Sequence, residues 1–137
     1  MANALYPTFK QALGADTFGA DLGNAGTDIR AILVDLADYT YSAAHDFLDD
    51  VPAGARVAVS SALTSKTWTA AVFDAADKTF TAVTGDVSEA LILYRHTGTE
   101  STSALIAFLD TGVTGLPVTP NGGDITITWN ASGIFAL

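Results

Sequence analysis

The side chains that could do chemistry in this sequence cluster in only a few places. His45 precedes Asp46, and Asp49 and Asp50 follow; Asp46 and Asp50 stand four residues apart. That spacing places both on one face of a helix, where paired carboxylates can share a proton or hold a cation. A solvated helix face is written the same way. His96 is the second of only two histidines, and no H-x-x-x-H spacing supports a metal reading. Asp124 follows Gly122 and Gly123, but one carboxylate supplies too few oxygens for calcium. Those glycines lead into an alternating "DITITW" with no lysine after it, so they do not form a phosphate loop. Asp16, Asp21 and Asp28 fall in a loosely patterned stretch and read as solvated loop acids.

Nucleophiles fare no better. No G-x-S-x-G elbow occurs, and the absence of cysteine excludes disulfides, thiolate zinc sites and cysteine nucleophiles. Trp68 and Trp129, with Tyr39, Tyr41 and Tyr94, are the right residue types for a sugar or peptide groove. Aromatics at alternating strand positions equally serve a core. The sequence therefore predicts a non-enzyme with no catalytic residue, no cofactor and no metal site.

Composition narrows the partners. Fifteen acids against 6 Lys and Arg give a formal charge of -9 over 137 residues, and such a field repels phosphate backbones, so nucleic acid is not an expected partner. Only 15% of residues are charged while 49% are hydrophobic, which separates the chain from disordered acidic tails and favours a folded domain that associates with copies of itself. The apolar runs "ALILY" and "ALIAFL" are far short of a membrane span. The start "MANALYPTFKQALG" lacks the basic opening and apolar stretch of a signal peptide, so no membrane role is expected.

The elements that must position these residues are mostly short. Leu5, Phe9 and Leu13 recur every fourth residue, with Pro7 near the first turn, predicting a helix over 4–13 closed by Gly14. The four glycines of "GADTFGADLGNAGT" make 14–27 an irregular connection, so that 1–27 forms a helix plus arm. "DIRAILVDL" predicts a buried strand. Ala44, Phe47, Leu48 and Val51 fall at i, i+3, i+4 and i+7 behind Ser42, predicting a second helix over 43–50. Strands are expected at 55–60, 66–73, 78–83, 88–95 and 103–109, the last two forming the centre of the core. Pro117 and Pro120 keep 115–120 extended, Asn121 to Gly123 turn the chain, and Ile125, Ile127 and Trp129 share the buried face of a final strand. The fold class is mainly β: one domain over 1–137, an antiparallel sandwich or barrel-like body with one or two short helices in its N-terminal half.

The start "MANALYPTFKQAL", the centre "ILVDLADYTYSAAHDFLDDVPAGARV", the stretch "FDAADKTFTAVTGDVSEALILYRHTGTESTSALIAFLDT" and "GLPVTPNGGDITITW" together resemble a family of small virion structural proteins of tailed bacteriophages. The resemblance spans nearly the whole chain and contains no catalytic signature. It implies a protein made in the host cytoplasm and placed on the capsid exterior of the virion. There it acts as a decoration or cement protein, a homo-oligomer bound to the major capsid protein. A tail or head-fibre-base module serving host or glycan attachment is the alternative. Leu5, Tyr6, Phe9, Phe18 and Leu22, apolar residues in and beside a glycine-rich tether, are the candidate capsid or subunit contacts, the alternative being that the N-terminal helix packs on its own sandwich.

Overall fold

The computed structural model describes residues 3–137. Its first elements are strand β1 (Ala4–Leu5) and helix α1 (Pro7–Gly14). The helix expected over 4–13 thus starts later. Proline at the first helical position disfavours helical geometry in the residue before it, and Tyr6 is extended at φ -65 and ψ 131. The two residues ahead of it pair with a strand instead. Residues 14–27 have no regular element, yet they are held: the Gly23 amide donates to Asp21 Oδ1 at 2.9 Å, the Gly26 amide to Asn24 Oδ1 at 2.7 Å, and the Thr27 hydroxyl to the Asp21 carbonyl at 2.7 Å.

Strand β2 (Ile29–Val34) follows, buried along almost its whole length. The helix expected over 43–50 does not form. This stretch is a chain of turns ending in a 3-10 turn at Leu48–Asp50, because its backbone groups are taken up across the fold. The Leu105 amide donates to the Asp46 carbonyl and the Leu48 amide to the Ser103 carbonyl, both at 2.9 Å. Groups committed to a neighbouring strand cannot close i to i+4 bonds. Ser42 still accepts from the Ala44 amide at 3.2 Å, as a local turn rather than a helix cap. Leu48 and Val51 are buried as the periodicity required.

Beyond a second 3-10 turn come β3 (Arg56–Val59), β4 (Thr67–Thr69), β5 (Val72–Asp74), β6 (Lys78–Phe80), β7 (Ala90–Arg95), β8 (Leu105–Leu109), β9 (Ile125–Ile127) and β10 (Phe135–Ala136). The single strand expected over 66–73 is a hairpin. Ala70 and Ala71 adopt φ of 52 and 62, the left-handed values of a two-residue reversal, and Thr69 pairs with Val72 across it. The strand expected over 78–83 ends early, with Ala82 at φ 50.

All pairings between the strands are antiparallel. The largest sheet runs β1-β8-β7-β2-β3, beside a sheet β10-β5-β4 and a pair β6-β9. β7 sits in the middle with Leu91, Ile92 and Leu93 fully buried, and β8 beside it is buried throughout, as their continuous apolar runs required. The small sheets cover the core with Phe73, Phe80 and Ile127, joined by Trp129 just past β9, giving a mainly β, sandwich-like body with one α-helix near its N-terminus. The 121–123 turn does what its residues demand: Asn121 Oδ1 accepts from the Gly123 amide at 2.9 Å, Gly122 takes φ 87, and Ile125, Ile127 and Trp129 land inside.

Candidate functional site

The five residues singled out for contact with a shell or a second subunit lie on the N-terminal segment and its tether, and the fold turns them inward. Tyr6, Phe9, Phe18 and Leu22 are buried and Leu5 is half-buried. The cause is the pairing of β1 with β8, in which Leu5 faces Ala107 and the Tyr6 amide donates to the Ile106 carbonyl at 3.0 Å. Phe9 then meets Phe18 edge-on at 5.2 Å and Phe135 at 6.0 Å. In this arrangement the arm is part of the domain's own core. An interface made by these five side chains would require the arm to leave it.

The inward turn creates a connected polar chain in the interior. Tyr6 and Tyr39 join hydroxyl to hydroxyl at 2.8 Å, and the Tyr39 hydroxyl meets His45 Nδ1 at 2.8 Å. A consistent arrangement runs one way: Tyr6 donates to Tyr39, and Tyr39 donates to His45 Nδ1, leaving the imidazole proton on Nε2. Burial pushes the Tyr6 phenol far above its ordinary range, and the hydrogen bond to Tyr39 adds to the effect. Burial likewise pushes Tyr39 up to about 12.

The acids beside His45 are close, as the four-residue spacing suggested, although a turn rather than a helix gathers them. Asp50 Oδ2 accepts from the Asp46 amide at 2.8 Å. That backbone donor leads in holding the Asp50 carboxyl below its usual range, whereas burial, followed by the hydrogen bond to Asp50, raises Asp46. Asp46, Asp49 and Asp50 each bring an oxygen within 4.8 Å of the others. Asp35 and Asp38, with Asp86 from a distant part of the chain, make a second such group. In that group Asp35 Oδ1 is tied to the Ala37 amide at 2.8 Å.

The remaining candidates are structural ties. Asp124 Oδ1 accepts from the Ala82 amide at 3.0 Å and helps fix the early end of β6. Trp129 donates from Nε1 to the Ala76 carbonyl at 2.9 Å while its amide donates to Asp77 Oδ1. Trp68 packs against Phe135 at 6.2 Å, and His96 meets Tyr94 edge-on at 6.1 Å. Asp28 pairs with Arg30 through two bonds of 2.9 Å, which hold its carboxyl below the usual range. Trp68, Trp129, His45 and His96 are thus each packed or bonded against a different neighbour.

Two arginines that no motif marked matter more. Arg56 donates from Nε to the Val51 carbonyl at 2.8 Å, and from Nη2 to the Leu48 carbonyl at 2.9 Å and to Glu100 at 2.7 Å. It pins the turn that replaces the expected helix. Arg95 closes β7 and donates from Nη1 to the Phe18 carbonyl at 2.7 Å. A lone arginine at a strand end carries no sequence signal, since backbone carbonyls of any residue type can accept from it, whether near in the chain as for Arg56 or 77 positions away as for Arg95. Comparison of the chain with protein-family models and with curated proteins finds no match to either.

Proposed function

We propose that this chain is a non-enzymatic structural protein of a tailed-bacteriophage particle, a decoration or cement protein that binds the outer face of the major capsid lattice and stabilises the head. The sequence resemblance suggests the role. The observation that supports it most directly is the use made of the reactive residues: His45, Asp50, Asp124, Trp129 and the buried tyrosines are spent on holding turns and packing layers. A body of that kind suits repeated attachment better than turnover.

The surface fits contacts that are individually weak. Among the described residues the exposed large apolar side chains are Val59, Val87 and Leu137, so each copy would contribute modestly and the lattice would gain through multiplicity. Binding only the expanded shell would stabilise that state by ordinary linkage. A net charge of -9 keeps the unassembled protein soluble and its outer face hydrated.

Mass spectrometry of purified particles, with copy counting on separated heads and tails, tests the reading. Copies on the order of hundreds on the head are expected of a lattice-bound protein. A handful at one vertex would favour the tail or fibre-base alternative, and absence from the particle would overturn both.

A further inference from the structure

Phe47, Ala104 and Arg95 occupy three neighbouring positions across the end of the large sheet. Phe47 forms an antiparallel bridge with Ala104, and the Arg95 amide donates to the Ala104 carbonyl at 2.9 Å. Adjacent strands lie about 4.8 Å apart, so the single methyl of Ala104 leaves a hollow between two large flanking side chains. Phe9 and Ala12 of α1, with Phe18 just beyond it, wall the same hollow and bound a pocket of about 310 Å³. That is the lower end of the range that holds small ligands.

Electrostatics single out Arg95 within this lining. Its Nη1 is anchored on the Phe18 carbonyl, and its guanidinium carbon lies 5.7 Å from the centre of the Phe18 ring. Among the described residues no carboxylate pairs with it, whereas Arg30 pairs with Asp28 and Arg56 with Glu100. This holds in a chain where acids outnumber Lys and Arg 15 to 6. The lining hydroxyls already have acceptors: Thr8 donates to the His45 carbonyl, Thr17 to the Ala12 carbonyl and Thr102 to the Thr99 carbonyl. The remaining guanidinium N–H groups are what the pocket has left to donate.

We propose that this pocket binds a small apolar monocarboxylate, an aryl or short alkyl acid. Its carboxylate takes the free edge of the Arg95 guanidinium in a two-pronged contact. Its apolar body lies over Ala104 among Phe9, Phe18 and Phe47. Asp46 also lines the pocket, and its charge opposes any anion but penalises a dianion such as phosphate more than a monocarboxylate. The assignment is independent of the virion role, since it concerns the isolated chain in solution.

Titrating phenylacetate into the isotope-labelled full chain and following backbone amide signals tests it. Saturable shifts at Thr17, Phe18, Arg95 and Ala104 are expected, with a dissociation constant on the order of 1 mM for so small a probe. Phenethylamine, of the same shape and opposite charge, should bind at least ~10-fold more weakly. Ala104→Leu fills the floor but keeps the arginine and should abolish the shifts while the spectrum stays dispersed; Arg95→Gln should weaken binding ~10-fold or more. Absence of saturable shifts in the unaltered chain, equal binding of the amine, or undiminished binding by a folded Ala104→Leu chain would each overturn the proposal. The two unaltered-chain titrations decide the matter even if both variants fail to fold.

Discussion

The hydroxyls of Tyr6 and Tyr39 meet at 2.8 Å, and only Tyr39 has a second partner, His45 Nδ1. The two phenols are therefore not equivalent. Removing the Tyr6 hydroxyl leaves Tyr39 bonded to His45 and should cost about 1 kcal/mol. Removing the Tyr39 hydroxyl strands that of Tyr6, a fully buried residue, and should cost about 2–3 kcal/mol. Urea unfolding of Tyr6→Phe and Tyr39→Phe measures both. A larger loss for Tyr6→Phe would contradict the one-way chain.

The same pair predicts how the protein fails in alkali. The fold holds both phenols protonated above the ~10 at which an unfolded tyrosine ionises. Above that pH the unfolded chain releases protons that the folded chain keeps, so unfolding becomes more favourable as pH rises. Their contribution should be complete below pH ~10 and should fall as pH climbs toward the Tyr39 value of about 12. Phenolate absorbance recorded beside circular dichroism checks this: Tyr39 should stay protonated up to about 12 in the folded chain, and the last phenol, that of Tyr6, should ionise only as the sheet signal is lost. All 4 tyrosines ionising while the sheet signal is intact would refute it.

Arg56 joins the carbonyls of Val51 and Leu48 to the side chain of Glu100, and its own side chain is only 14% exposed. Arg56→Met should cost about 2–3 kcal/mol by leaving two carbonyls without their charged donor. Glu100→Gln removes only a solvent-screened partner and should change stability little. Denaturation midpoints of the two variants separate the roles, and equal losses would show that the ion pair, not the carbonyl clamp, holds the turn.

The β4–β5 hairpin turns on Ala70 and Ala71, both in left-handed geometry. A residue with a Cβ pays roughly 1–2 kcal/mol there, and Asn followed by Gly suits such a reversal. Ala70→Asn combined with Ala71→Gly should stabilise the fold by about 1 kcal/mol, raising Tm by ~3 °C. A lowered Tm would mean that the alanine methyls pack in the native state more favourably than their backbone strain costs.

These elements also mark what the sequence could say. Continuous apolar runs such as Leu91 to Leu93 and Leu105 to Leu109 carry their own signal, because a strand buried on both faces needs apolar residues at every position. The turn before β9 was equally readable, since Asn121 and Gly122 supply the side-chain acceptor and positive φ it uses. Ala70–Ala71 gave no such notice. Alanine favours helices and is silent about reversals, so a hairpin read as one strand. The stretch before Val51 has helical periodicity, but its carbonyls and amides bond to residues some sixty positions onward, and no local pattern reports that competition. The same limit hid the surroundings of Arg95, because Phe18 and Phe47 are remote from it in the chain and only Ala104, just before the next strand, is near. It also left the inward facing of Tyr6 and Phe9 undecided, because an amphipathic helix needs an apolar partner without specifying whose.

The pairing of β1 with β8, reinforced by Asn3 reaching Thr111 across 108 positions, sets the order in which a growing chain can mature. As the polypeptide leaves the ribosome, its first strand has no mate until most of the remaining residues have been synthesised. High contact order of this kind slows the search for the native state, and the waiting strand and the apolar face of α1 stay open to alternative partners meanwhile. Fusing a bulky tag ahead of Asn3 should therefore tax folding yield more than the same tag placed in an exposed loop.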